Sequence, residues 1–178
     1  MKYIIASDLH GSYKYAKLIK EIFIKEKGDK LVLLGDIYNH GPRNPLPDEY
    51  NPQKVAELLN EMSKDLIVIK GNCDSQVDTM ISSFDFIEDM VLTSADKTIF
   101  CTHGHVYNKD AKPKTNFDCV LYGHFHTGFV EKIDGTVFVN AGSLSLPKNQ
   151  TPSSYVCIEN GNLKLKDING EIISEIDL

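Results

Sequence analysis

The sequence predicts a layered α/β domain, and three observations carry that prediction. Short apolar runs alternate with amphipathic helical stripes in the N-terminal part, turn dipeptides punctuate a β-rich C-terminal part, and no long linker divides the two. In order, Tyr3 to Ala6 is a short buried strand. Tyr15, Leu18, Ile19, Ile22 and Phe23 recur at the spacing of an amphipathic helix that Gly28 can close. Leu31 to Leu34 is a second apolar strand, followed by a loop rich in proline and asparagine from Tyr38 to Asn51. Asn51-Pro52 supplies an N-cap and an N1 proline for a helix marked by Val55, Leu58, Leu59 and Met62. Leu66 to Ile69 makes a third strand, so this part reads βαβαβ, with parallel pairs and right-handed crossovers. Beyond it, β segments are expected at Met90 to Thr93, Thr98 to Thr102, Cys119 to Leu121, Phe129 to Ile133 and Val137 to Val139. Asp134-Gly135, Asn160-Gly161 and Asn169-Gly170 are hairpin turn signals, and together these features predict a mixed or antiparallel second sheet.

Length and composition bound the function. A chain of 178 residues, 42% hydrophobic and 25% charged, suits one domain, residues 1–178, with a sizeable core. The formal net charge of -6 offers no broad basic surface, so neither a nucleic acid nor an acidic membrane is an expected partner. The apolar N-terminus, Met1 to Ala6, is too short for a signal peptide or a membrane span, which predicts a cytoplasmic protein. Cys73, Cys101, Cys119 and Cys157 are widely spaced and fit reduced thiols, the last three inside apolar runs.

The residues just past each apolar run are the informative ones. They read Asp8-Leu9-His10, Gly35-Asp36, Gly71-Asn72-Cys73-Asp74, His103-Gly104-His105 and Gly123-His124-Phe125-His126. The carboxyl ends of strands in an open α/β sheet face a common crevice, so these groups are expected to converge. Imidazole and carboxylate are the usual ligands of transition metals, and a two-metal site needs a carboxylate able to bridge ions roughly 3.5–4 Å apart, a place Asp36 suits. In an extended D-x-H or H-x-H the alternate side chains share a face, so both members of a pair can reach one site. Taken singly, each piece has a plainer reading: Asp8 as a helix cap, Gly35-Asp36 as a turn, His103 as a hydrogen-bonded core residue and Asn72 as a left-handed turn residue. His124 and His126 are stronger evidence, because two imidazoles on one strand end are costly to desolvate without a shared purpose.

In this order, Asp8-x-His10, Gly35-Asp36, Gly71-Asn72-x-Asp74, His103 and Gly123-His124-x-His126 resemble the signature of the calcineurin-like metallophosphoesterases. The loop "YNHGPRNPLPDEYNPQKVAELLNEM" and the run "GNCDSQVD" resemble more specifically the YfcE-like group of bacterial phosphodiesterases. The resemblance implies a four-layer αββα sandwich of two mixed β-sheets. It implies that Asp8, His10 and His126 hold one divalent ion, that Asn72, His103 and His124 hold another, and that Asp36 bridges them. Manganese is the expected metal, with iron, zinc and nickel also suited to the ligand set. The activity implied is hydrolysis of a small phosphodiester by a metal-activated water. Arg43 is a candidate for a fork-like contact with phosphate, and Asn39 and His40 lie close enough in sequence to orient a substrate, although Arg43 and His40 read equally as solvated loop residues. Asn140, Gly142 and Ser143 resemble the segment that closes the site.

One departure concerns the leaving group. Much of the superfamily has a histidine after the asparagine of G-N-x-D, thought to protonate the leaving group, where this chain has Cys73. A thiol is a poor acid at neutral pH, so either His105 substitutes or the preferred esters have acidic leaving groups. Asp74 is then expected to orient a neighbour in the site. Competing readings keep the fold and change the use: a phosphomonoesterase, a cyclic-nucleotide phosphodiesterase, or a protein-binding scaffold like the retromer subunit of this fold, in which the motifs have decayed. The complete ligand set favours catalysis. A homo-oligomer is expected from the resemblance.

Overall fold

The computed structural model describes residues Met1–Leu178. Strands β1 (Lys2–Ala6), β2 (Lys30–Leu33) and β3 (Leu66–Ile69) are joined through helices α1 (Tyr13–Lys25) and α2 (Pro52–Glu61) and pair in parallel, as the βαβαβ reading requires. Their near-continuous apolar sequences follow from burial on both faces. Ile4, Leu31 and Leu33 face the helices, where Ile19, Val55 and Leu59 complete a core. Ile5, Val32 and Leu34 face the other way, onto a second sheet.

Both helices start where capping chemistry allows. The Ser12 hydroxyl accepts the Tyr15 amide at the head of α1, and the Asn51 side chain accepts the Lys54 amide ahead of Pro52 in α2. The end of α1 differs from expectation. The left-handed residue there is Lys27, at φ 54°, while Gly28 serves by lacking a side chain: a Cβ would lie 2.7 Å from the Phe23 ring and 2.8 Å from Ile4. Close packing, not turn geometry, demands that glycine.

The remaining strands are β4 (Phe86–Ile87), β5 (Met90–Ser94), β6 (Lys97–Cys101), β7 (Cys119–Tyr122), β8 (Phe129–Ile133), β9 (Thr136–Asn140), β10 (Ser154–Glu159), β11 (Asn162–Asp167) and β12 (Ile172–Asp177). The second sheet has the order β5-β6-β7-β9-β8 and is mixed, with β6-β7 and β7-β9 parallel. All three hairpin signals fall where turns occur: Asp134-Gly135 joins β8 to β9, Asn160-Gly161 joins β10 to β11 and Asn169-Gly170 joins β11 to β12. The last two do not extend the second sheet. Strand β10 pairs antiparallel with β1, so the C-terminal meander widens the first sheet to seven strands, β12-β11-β10-β1-β2-β3-β4.

Two mixed sheets thus pack face to face, with helices outside the first. The fourth layer, outside the second sheet, is not helical. Residues 103 to 118 run there without a helix or strand and cover Phe100, Val120, Tyr122 and Phe138, with Phe117 stacked on Phe100 at 4.9 Å. Cys101, Cys119 and Cys157 are buried free thiols. No helix is long and apolar enough to cross a membrane.

Candidate metal centre

The carboxyl ends of β1, β2, β3, β6 and β7 meet at one edge of the sandwich, and main-chain pairing continues past them. The Asp8 amide donates to Gly35 O, His10 to Asp36 O, and Gly123 to His103 O. The ligand pairs do not reach the site by strand alternation. Asp8, His10, Asp36, His124 and His126 all lie at positive φ, between 48° and 65°, because the strands have ended and each of these residues sits at a left-handed kink. Such a conformation costs about 1 kcal/mol or more per residue, although Asp and His tolerate it better than most. Strain concentrated on five side chains that point at one place marks a functional site.

Two close approaches explain the glycines of the motifs. A Cβ on Gly71 would run into the amide and carboxylate of Asp36, and one on Gly123 would strike Ser7 and come within 2.6 Å of Asp8 Oδ2. Asp74 fastens the same loops together: its carboxylate accepts the amides of Asp36 and Ile37 at 2.8 Å and of Gly71 at 2.7 Å. It therefore holds these loops together, and burial pushes its pKa up to about 6 in spite of those donors.

Three imidazoles are oriented by the same device. Nδ1 of His10, His103 and His126 donates at 2.7 Å to the carbonyls of Asn39, Leu34 and Leu146, respectively. With Nδ1 protonated, each neutral ring presents the Nε2 lone pair to the site. His10 Nε2 and His126 Nε2 then face one another at 3.1 Å, with Asp8 Oδ1 3.6 Å and 3.3 Å away. Asp8 Oδ1 is buried with no hydrogen-bond donor at all. Acceptors gathered in this way repel unless a cation lies among them, so these residues fit a metal ion. Without a cation the rings take a proton instead: burial alone would raise the Asp8 pKa, but His10 and His126, when protonated, hold it well below the carboxylate range. Burial in turn lowers His10, and Asp8 more than restores it.

Asp36 reaches two ways. Oδ2 lies 3.7 Å from His10 Nε2 and Oδ1 3.5 Å from His103 Nε2, while His103 Nε2 is also 3.0 Å from Asn72 Oδ1. His124 sits beside this second group, its ring 5.1 Å from that of His103; burial, and then the neighbouring His103, lower its pKa to about 4, which keeps it in the neutral form a ligand needs. All seven side chains expected from the sequence as ligands are thus gathered at one end of the sandwich.

The expected substrate and proton-transfer residues divide. Arg43 lines a cleft of about 690 Å³ that opens over Asp36, Asn72, Cys73, His124 and His126. Asn39 lines it too, but its side chain is occupied with the Gly41 amide and its carbonyl with His10. His40 does not line the cleft; its ring packs edge-on against Tyr50 at 5.4 Å. His105 stands outside the lining as well, 5.4 Å from the His103 ring, and burial and His103 lower its pKa, so it is neutral at pH 7. Cys73 is in the cleft, where burial and then the Asp36 charge push its thiol up to about 12. Asn140, Gly142 and Ser143 scaffold the loops: the Asn140 side chain donates to Gly123 O and accepts from the Gly142 amide, and the Ser143 hydroxyl donates to Asp8 O. Sequence reasoning missed Lys148, which lines the cleft and carries no motif signal.

A family model described as "Calcineurin-like phosphoesterase superfamily domain" matches residues 1–162. The chain belongs to the calcineurin-like phosphoesterase superfamily. Among curated members, "Phosphodiesterase YfcE" of Escherichia coli (strain K12) is 39% identical over 175 residues, 97% of this chain and 95% of the relative. The solved structure of the E. coli phosphoesterase YfcE matches with a TM-score of 0.95 and 37% identity over 99% of each chain. Vacuolar Protein Sorting 29 from Cryptosporidium parvum matches with a TM-score of 0.68 over 99% of this chain and 98% of its own, but at 19% identity the likeness is one of fold alone. Superfamily membership and the near-full-length likeness to a phosphodiesterase make the protein a phosphoesterase-type hydrolase.

Proposed function

We propose that the protein hydrolyses small phosphodiesters at a centre for two divalent metal ions. The observation that carries the proposal is the reach of Asp36, one carboxylate oxygen toward His10 and the other toward His103. Asp8, His10 and His126 would hold one ion, Asn72, His103 and His124 the other, with Asp36 between them. When bound, two such cations lower the pKa of a water to supply a nucleophile near neutral pH and draw charge from the phosphoryl oxygens. Manganese is the proposed metal, and the nitrogen and oxygen donor set also suits iron, zinc or nickel.

The chain's own residues do the rest. The three carbonyls that take Nδ1 protons fix the rings, Asp74 fixes the two loops that carry Asp36 and Asn72, and Arg43 supplies a planar cation to a phosphoryl oxygen. Arg43 is the only arginine of the sequence, and it forms no ion pair with any carboxylate. The diester reading rests on the 39% identical phosphodiesterase relative. Added manganese is expected to switch on hydrolysis of bis(4-nitrophenyl) phosphate. Asp36→Asn is expected to lower kcat by about 100-fold or more with the far-UV circular dichroism unchanged. Full activity in that variant, or none in the wild type with any divalent metal, would overturn the reading.

A further inference from the structure

The cleft beside the ligand cluster is larger and differently lined than a phosphate alone requires. At about 690 Å³ it is within the roughly 300–1,000 Å³ typical of pockets for whole small molecules. Asp36 is its only carboxylate, whereas two of its residues, Arg43 and Lys148, are cations. In a chain with net charge -6, where most lysines pair with acidic neighbours, neither of these two meets a carboxylate. The cleft is therefore a positive mouth in an acidic surface, suited to anions beyond the scissile phosphate.

Lys148 and Phe125 form one wall of it by construction. The Lys148 amide donates to His126 O at 2.9 Å, and the Asn149 side chain donates to Thr127 Oγ1 at 3.0 Å. The segment bearing Lys148 is thus tied alongside the His124–His126 turn. Phe125 is the residue between the two ligand histidines, and its place differs from that of Leu9 between Asp8 and His10. Leu9 is fully buried in the core beneath the helices, whereas Phe125 is 44% exposed and lines the cleft. His124 and Tyr122 hold its ring edge-on, at 5.0 Å and 6.1 Å, so the ring is fixed while part of its surface stays open. A half-open aromatic held edge-on, in one cleft with a lysine that pairs with no carboxylate, suits a flat ring that bears a negative charge.

We infer that Phe125 and Lys148 form a specificity subsite for one ester substituent, and that the preferred diesters carry there an aromatic ring with its own anionic group. The inference rests on the phosphodiesterase reading and adds the substrate class to it. The ring packs on Phe125 and the anion meets Lys148, while Arg43, carried by the separate loop after Asp36, is left to the scissile phosphate. Two sources share this chemistry, a substituted aryl ester and a nucleotide bearing a further phosphate.

The test uses three 4-nitrophenyl diesters whose other substituent is methyl, phenyl or 4-carboxyphenyl, on the manganese-loaded protein. For binding without turnover it uses the matching methyl-, phenyl- and 4-carboxyphenylphosphonates, measured by calorimetry. In the wild type, kcat/KM and affinity should each rise about threefold to tenfold from methyl to phenyl and again to 4-carboxyphenyl. Phe125→Ala should collapse the phenyl-to-methyl ratio, and Lys148→Gln the carboxyphenyl-to-phenyl ratio, each toward one. A fourth diester, with a nucleoside 3′-phosphate as the substituent, separates the two sources. Hydrolysis of the methyl ester with flat ratios overturns the subsite and leaves the diesterase reading standing. Absence of all hydrolysis overturns that reading, and the phosphonate affinities then decide the subsite alone. Ratios that persist in both variants also overturn it.

Discussion

At Cys73 the chain puts a thiol where the cleft meets Asp36, and its chemistry sets the limits of the site. Its amide donates to Asp36 Oδ1 at 2.8 Å, so the residue is tied to that carboxylate whatever its side chain does. Burial and the Asp36 charge push the thiol up to about 12, a reluctant donor at neutral pH, and burial and His103 lower the pKa of His105. With no good acid over the leaving group, rate should depend on the stability of the departing alkoxide. In a series of aryl and alkyl diesters, log kcat is expected to fall steeply as leaving-group pKa rises, and a flat profile would show that a proton donor acts. The motif residues were legible because their types are scarce and chemical. Lys148 was not, because one lysine among many carries no sign of the cleft it lines.

At the scale of elements, the first sheet and α1 are joined by one carboxylate. Glu26, at the C-cap of α1, meets Lys2 of β1 at 3.0 Å, Lys166 of β11 at 2.7 Å and the Tyr155 hydroxyl of β10 at 2.9 Å. Burial works to raise its pKa, but these partners bring it down to about 2 from the ordinary 4.5. Because the folded value lies below the unfolded one, the stabilisation is complete above about pH 4.5 and is lost as pH falls toward 2. Glu26→Gln is expected to cost about 1–2 kcal/mol in urea unfolding at pH 7, with the gap to wild type narrowing on acidification. A constant gap from pH 7 to pH 3 would remove the claim. Periodicity found α1, α2 and the early strands, since local patterns of burial define them. It did not find β4, only two residues long, or the side on which the C-terminal meander docks.

For the whole molecule, the exposed apolar residues bear on assembly. Ile172 and Ile173, on the edge strand β12, are 50% and 45% exposed, and Met80 beyond the G-N-x-D loop is 83% exposed. An uncovered edge strand with apolar side chains is a pairing hazard that a second copy removes. The homo-oligomer expected from the family resemblance remains the proposed state. Sedimentation velocity at micromolar concentration should report a species larger than 20.0 kDa, and a monomer there would count against it.

The sequence by itself determined the order of the early strands and helices and the hairpin turns, and it singled out seven candidate donor side chains, because burial period, turn chemistry and residue type are local properties. Tertiary structure alone decided the rest. It sent the C-terminal meander to β1, filled the fourth layer with irregular chain, bent five of the candidate ligands into left-handed kinks and packed His40 against Tyr50. These outcomes depend on which distant surface a segment packs against. No window of neighbouring residues contains that information.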